Sequence, residues 1–118
     1  MVLCGIIALL GAACGEEKRP PDVDDADRIT ASVGRIVFLC RSVEQGFLAS
    51  VDERALRRDV DALSELAEDV DPDVSFRLPE SGIRRETTLR DQVELAARVL
   101  DEACSPEDAE RLRDAVGD

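Results

Sequence analysis

The sequence predicts an all-α domain, a small three- to four-helix bundle with one disulfide, and three observations point that way. Apolar residues recur at three- and four-residue steps through most of the chain, which is the period of one helix face. Aromatic residues are confined to Phe38, Phe47 and Phe76, with no Trp or Tyr, so the core has to be built from Leu, Val, Ile and Ala. Strands are enriched in aromatic and β-branched side chains, and their scarcity favours packed helices over a sheet. At 118 residues the chain has room for one domain.

The first helix is expected from about Asp25, where Ile29, Val33, Ile36, Val37, Cys40, Val43 and Phe47 fall on one face. Gly34 and Gly46 each cost a helix interior about 1 kcal/mol relative to Ala, and Gly46 is the natural candidate for its end. Ser50 with Glu53 three residues on has the form of a capping box opening the second helix. Its inner stripe is Leu56, Val60, Leu63, Ala67 and Val70, with Arg57, Arg58, Asp59, Asp61, Glu65 and Glu68 elsewhere, and Pro72 stops it. Thr88 and Asp91 open a third helix with the stripe Leu89, Val93, Ala96, Leu100 and Ala103, broadened by Leu95 and Val99. Ser105 then suits a cap, Pro106 the first helical position, and Glu107 and Asp108 the first turn. The short fourth helix uses Ala109, Leu112 and Val116 before Gly117. The best alternating stretch, residues 74–78, is cut by Pro79, so no sheet is expected.

The N-terminus has a different character. Residues 2–14 are uncharged and apolar, and the first charge is Glu16. About thirteen helical residues at roughly 1.5 Å each cover ~20 Å, short of the ~30 Å hydrocarbon core, so the run is too brief to span a bilayer. It matches the apolar region of a secretory signal. Its end, Leu10, Gly11, Ala12, Ala13 and Cys14, resembles the lipobox of bacterial lipoproteins, where a cysteine receives a diacylglycerol before cleavage on its N-terminal side. The resemblance covers only about a dozen residues. It implies lipid attachment at Cys14, membrane lipid as a partner, and a place on the extracytoplasmic face of a cell membrane. It implies nothing about the fold that follows. The expected organisation is residues 1–14 as the signal segment ending at the lipidation cysteine, residues 15–27 as a flexible acidic tether, and residues 28–118 as the helical bundle. A tether of about a dozen residues reaches roughly 40 Å at full extension. Plain secretion with cleavage near Ala13, and a cytosolic chain with a buried apolar N-terminal helix, are the competing readings.

With Cys4 removed in the signal and Cys14 acylated, Cys40 and Cys104 remain. In an oxidising compartment an even pair is most simply a disulfide. Cys40 lies late in the first helix and Cys104 ends the third, and in an up-down-up arrangement those ends meet. Closing a loop of about 65 residues stabilises a fold by roughly 4 kcal/mol on the chain-entropy account. Ordinary buried thiols are the alternative. A redox or metal role is disfavoured, because no paired CxxC and no His accompanies them.

Composition sets several function classes aside. The formal net charge is −12, from 27 acidic and 15 basic residues. Nucleic acid, which needs a basic face, is not an expected partner. The chain has no His, which removes the usual proton shuttle near neutral pH and the commonest metal ligand. Nucleophilic catalysis would lack its usual base, no glycine-rich phosphate loop follows a strand, and no enzymatic activity or cofactor is expected. Asp69, Asp71, Asp73, Phe76 and Glu80 reproduce part of an EF-hand calcium loop. Val74 stands where that loop needs Gly, and Arg77 brings a positive charge, so a metal site is not expected. The long connection over residues 71–86 carries Arg77, Arg84 and Arg85, a place for an anion or acidic partner, against the plainer reading of a solvated connection. The leading expectation is a membrane-anchored, non-catalytic interaction or accessory module with another envelope protein as partner. The alternative is a helical carrier of a small ligand or ion.

Overall fold

The structure is a computed structural model and describes residues 18–78 and 85–117. Among these the chain forms four helices and one short ribbon: α1 (Val23–Glu44), α2 (Glu53–Asp69), β1 (Phe76–Arg77), β2 (Glu86–Thr87), α3 (Leu89–Ala103) and α4 (Pro106–Ala115). Helix α1 packs on α2 and on α3, and α4 packs on the same two, so α1 and α4 occupy opposite corners. The expected all-α bundle is what the sequence builds.

The start of α1 differs from expectation. Its N-cap is Asp22, whose carboxylate accepts from the Asp25 amide at 2.8 Å, while the Asp25 carboxylate accepts from the Asp22 amide at 3.0 Å. This reciprocal capping satisfies two orphan donors and starts the helix at Val23, two residues earlier than apolar periodicity placed it. Asp25 is buried, and the Arg19 guanidinium grips its carboxylate. Arg19 also joins the end of α2 through its backbone, its amide donating to Asp69 O at 3.0 Å and its carbonyl accepting from Asp71 N at 2.8 Å. Lys18 Nζ donates to Ala67 O at 2.8 Å. The stretch expected as a free tether is therefore, from Lys18 onward, a strap bound across the end of α2. Two acids of this stretch do specific work, Asp22 as the cap of α1 and Asp25 as the counter-ion of Arg19, while Asp24 and Asp27 are exposed.

The inner face of α1 is Ala26, Ile29, Val33, Ile36 and Cys40, as the three- and four-residue steps require. Gly46 sits at φ +86°, donating to Val43 O, while Phe47 N donates to Ser42 O at 2.8 Å. This pair of bonds closes the helix end, and only glycine takes the left-handed position without penalty. Phe47 lies past this stop and is 77% exposed, so it does not extend the core stripe.

Helix α2 is capped by Asp52, which accepts from the amides of Arg54 and Ala55, rather than by the expected Ser50 and Glu53 pair. An ionised carboxylate next to the first turn accepts two amides and is favoured by the helix dipole, which outweighs a serine two residues back. Helix α3 begins as expected, with Thr88 accepting from Asp91 N at 3.1 Å, and α4 begins with Ser105 accepting from Asp108 N and Pro106 in the first turn. Leu95 does not broaden the buried stripe of α3; it is 41% exposed.

The connection between α2 and α3 contains the expectation that failed outright. Phe76 pairs with Thr87 and Arg77 with Glu86 as an antiparallel ribbon, continued by Leu78 N donating to Arg85 O at 3.0 Å. A two-residue strand carries too short an alternation to be read from sequence, and burial of Phe76 on the core supplies what propensity does not.

Each of the four helix–helix contacts carries an arginine clamp: Arg35 on Asp59 for α1–α2, Arg41 on Glu102 for α1–α3, Arg111 on Asp61 for α2–α4, and Arg113 on Glu94 and Asp101 for α3–α4. Asp59 is buried, and its carboxylate takes three contacts of 2.9–3.1 Å from the Arg35 guanidinium. The covalent tie is Cys40–Cys104, with Cα atoms 5.5 Å apart across a sequence separation of 64. It holds the late ends of α1 and α3, two packed neighbours, together.

Two outcomes are expected. Cys40→Ser should lower the melting free energy by about 4 kcal/mol in non-reducing buffer and leave it unchanged relative to wild type in reductant. The Arg19 guanidinium and the Asp22 amide hold the Asp25 carboxyl below its ordinary range. A depressed carboxyl stabilises the fold above its unfolded value near 4, and that contribution is lost as pH falls through the folded value. Asp25→Asn should therefore cost about 2 kcal/mol at pH 7, with the gap to wild type closing in denaturation curves taken below about pH 4.

Candidate interaction surface

Cys14 and Arg84 lie outside the described residues, as does Glu80 of the calcium-loop pattern. The remaining loop arginines are placed but not gathered. Strand alternation puts Arg77, opposite Glu86, on one face of the ribbon and Arg85, opposite Leu78, on the other. They do not form one anion cradle. Of the acidic run, Asp71 accepts from the Asp73 amide at 2.9 Å, and Asp73 is paired with Arg90, whose guanidinium holds the Asp73 carboxyl below its ordinary range. These carboxylates are engaged in turning the chain and fastening it to α3. No group of three or more candidate ligands converges among the described residues.

What the fold does expose is an apolar surface along α1. Phe38 is 67% exposed on the outer side of the helix. On one flank lies an open groove of about 660 Å³, with Thr30, Val33, Gly34 and Val37 from α1, Gln92 and Leu95 from α3, and Leu78 and Arg85 from the ribbon. Gly34 meets nothing within 4 Å of where a Cβ would stand, so the floor is open at that point. Thr30 Oγ1 is buried and has no hydrogen-bond partner among the described residues. On the other flank, between α1 and α2, a smaller groove of about 300 Å³ is lined by Arg35, Phe38, Leu39, Ala55, Arg58 and Asp59. Phe38 is thus the ridge shared by two grooves.

Helix α2 continues that surface. Arg54, Arg57 and Arg58 are exposed and, with Glu53 and Asp61, line a shallow depression next to the α1–α2 groove, with Arg58 common to both. None of the three forms an ion pair among the described residues, whereas Arg19, Arg35, Arg41, Arg90, Arg111 and Arg113 all do. By sequence, Arg57 and Arg58 fall off the inner stripe of α2 and receive no role. The available signal was their spacing with Arg54, which stacks three cations on one helix face.

Compared with family models, with curated proteins and with solved structures, the chain matches none. The site must be read from its own chemistry. An exposed aromatic between two open grooves, rimmed by arginines, is the composition of a protein-contact surface, in which aromatic and Arg side chains are enriched. A small-ligand site is instead enclosed and has convergent polar groups.

Because Phe38 buries little of itself, Phe38→Ser should leave thermal stability within about 0.5 kcal/mol of wild type. The same substitution should reduce binding of an apolar surface dye. A melting loss of several degrees would show instead that Phe38 belongs to the core.

Proposed function

We propose that the chain is a lipid-anchored extracytoplasmic lipoprotein that acts as a non-catalytic protein-interaction module. The reading of the surface is carried by one observation, the exposed Phe38 ridge between two apolar grooves in a chain of formal charge −12. An exposed aromatic with an apolar groove on either side is the kind of surface that protein partners cover. The anchor reading is supported by the lipobox-like end of the apolar leader at Cys14 and by the disulfide Cys40–Cys104, a bond that persists in oxidising compartments.

The strap at Lys18 revises how such an anchor would work. Between Cys14 and Lys18 the chain reaches at most about 14 Å, against the roughly 40 Å of a free tether. A lipid on Cys14 would hold the Lys18 end of the bundle close to the headgroups. Membrane retention would rest on the acyl chains, since two or more hold firmly at about 0.8 kcal/mol per buried methylene. No helix among the described residues is long and apolar enough to cross a membrane.

Labelled palmitate should appear on the wild-type protein and vanish in Cys14→Ser, with the protein moving from the detergent phase to the aqueous phase on extraction. Wild type that partitions into the aqueous phase unlabelled would overturn the anchor.

A further inference from the structure

We infer that the α1–α2 face is a docking site for an acidic amphipathic helix of a partner protein, its apolar side seated against Phe38 and its carboxylates on Arg54, Arg57 and Arg58. This rests on the interaction-module reading above and names the partner's chemistry. Three features of the face select that occupant.

The first is charge. The arginines that clamp the helix contacts are all paired, whereas Arg54, Arg57 and Arg58, side by side on α2, form no ion pair among the described residues. These three guanidiniums outnumber the two carboxylates, Glu53 and Asp61, that line the same depression, and Asp61 is already held by Arg111, so an incoming anion meets a local excess of positive charge. The second is spacing. Arg54 and Arg58 stand about 6 Å apart along the axis, and glutamates four residues apart on a partner helix present carboxylates at that same interval. The third is the adjoining apolar groove of about 300 Å³ between α1 and α2, with Phe38, Leu39 and Ala55 in its lining and Arg58 at its edge. An acidic segment without an apolar side would leave it uncovered.

A bilayer presents a flat face, whereas the groove beside the arginines runs between two helices and is a shape that a helix with an apolar side fills.

The test uses the full chain carrying Cys14→Ser, so that lipid plays no part. The probe is a fluorescent synthetic helix of about fifteen residues with leucines on one face and glutamates flanking them four apart; the control replaces every glutamate by lysine. Anisotropy titrations should show the glutamate helix binding about tenfold or more tighter than the lysine helix. Arg54→Glu/Arg57→Glu/Arg58→Glu should weaken it by about tenfold or more, the milder Arg58→Gln by a few-fold, and Phe38→Ser by about tenfold. Arg98→Glu, on α3, should change nothing. Circular dichroism melts confirm that each variant is folded before its affinity is compared. Equal affinity for both helices, undiminished binding by the folded triple variant, or retention on phosphatidylglycerol vesicles with no helix binding would each overturn the docking site. Such a result alongside intact palmitate labelling leaves the anchor standing, whereas lost labelling with preserved helix binding removes the anchor and keeps the docking site.

Discussion

The Cys40–Cys104 bond is the constraint around which the rest is arranged. It joins the late end of α1 to the end of α3, and as the two helices also pack along one another they run parallel. Parallel neighbours cannot be joined by a tight turn, so the chain must return before α3 begins. Helix α2 makes that return, antiparallel to both, and the connection over residues 71–88 brings the chain to the start of α3. The ribbon follows from this. Phe76 covers the core where the connection passes, and its pairing with Thr87 satisfies backbone that would otherwise be stranded near apolar side chains. Helix α4 then closes the remaining side against α2 and α3.

The helices hold one another with little aromatic mass. The core is aliphatic, centred on Ile29, Ile36, Leu63, Leu89, Leu100 and Leu112. Arginine clamps across the four helix contacts supplement it, and the burial of Asp25 and Asp59 shows where they matter most. A buried carboxylate is expensive unless it is paired and hydrogen-bonded, and both are. These clamps contribute more to register than to raw stability, since a guanidinium fork accepts only one alignment of its carboxylate. Against that background Arg54, Arg57 and Arg58 differ from the clamping arginines, because they form no ion pair among the described residues and lie next to the groove that Phe38 flanks.

The strap changes the picture of the N-terminal region. Lys18 and Arg19 bind the end of α2 while Arg19 also neutralises Asp25 at the start of α1, so one short stretch fastens two helix ends.

Helix positions, the α3 and α4 caps, the glycine stop at Gly46 and the pairing of Cys40 with Cys104 were legible in the sequence, because each depends on residues near one another in the chain or on a single topological choice. The same locality explains the errors. Residues 18–27 look like solvated tether until α2 and the buried Asp25 are in place, and Phe76 looks like loop until there is a core for it to cover. The loop arginines were a plausible cluster by position in the chain, yet strand alternation sends Arg77 and Arg85 to opposite faces. Arg54 and Phe38 became a site only when α1 was laid beside α2, since apolar periodicity identifies which side chains are buried but not which exposed ones become neighbours. Local chemistry fixed the helices and the bond between them; long-range packing decided the strap, the ribbon and the binding face, because those depend on contacts between residues far apart in sequence.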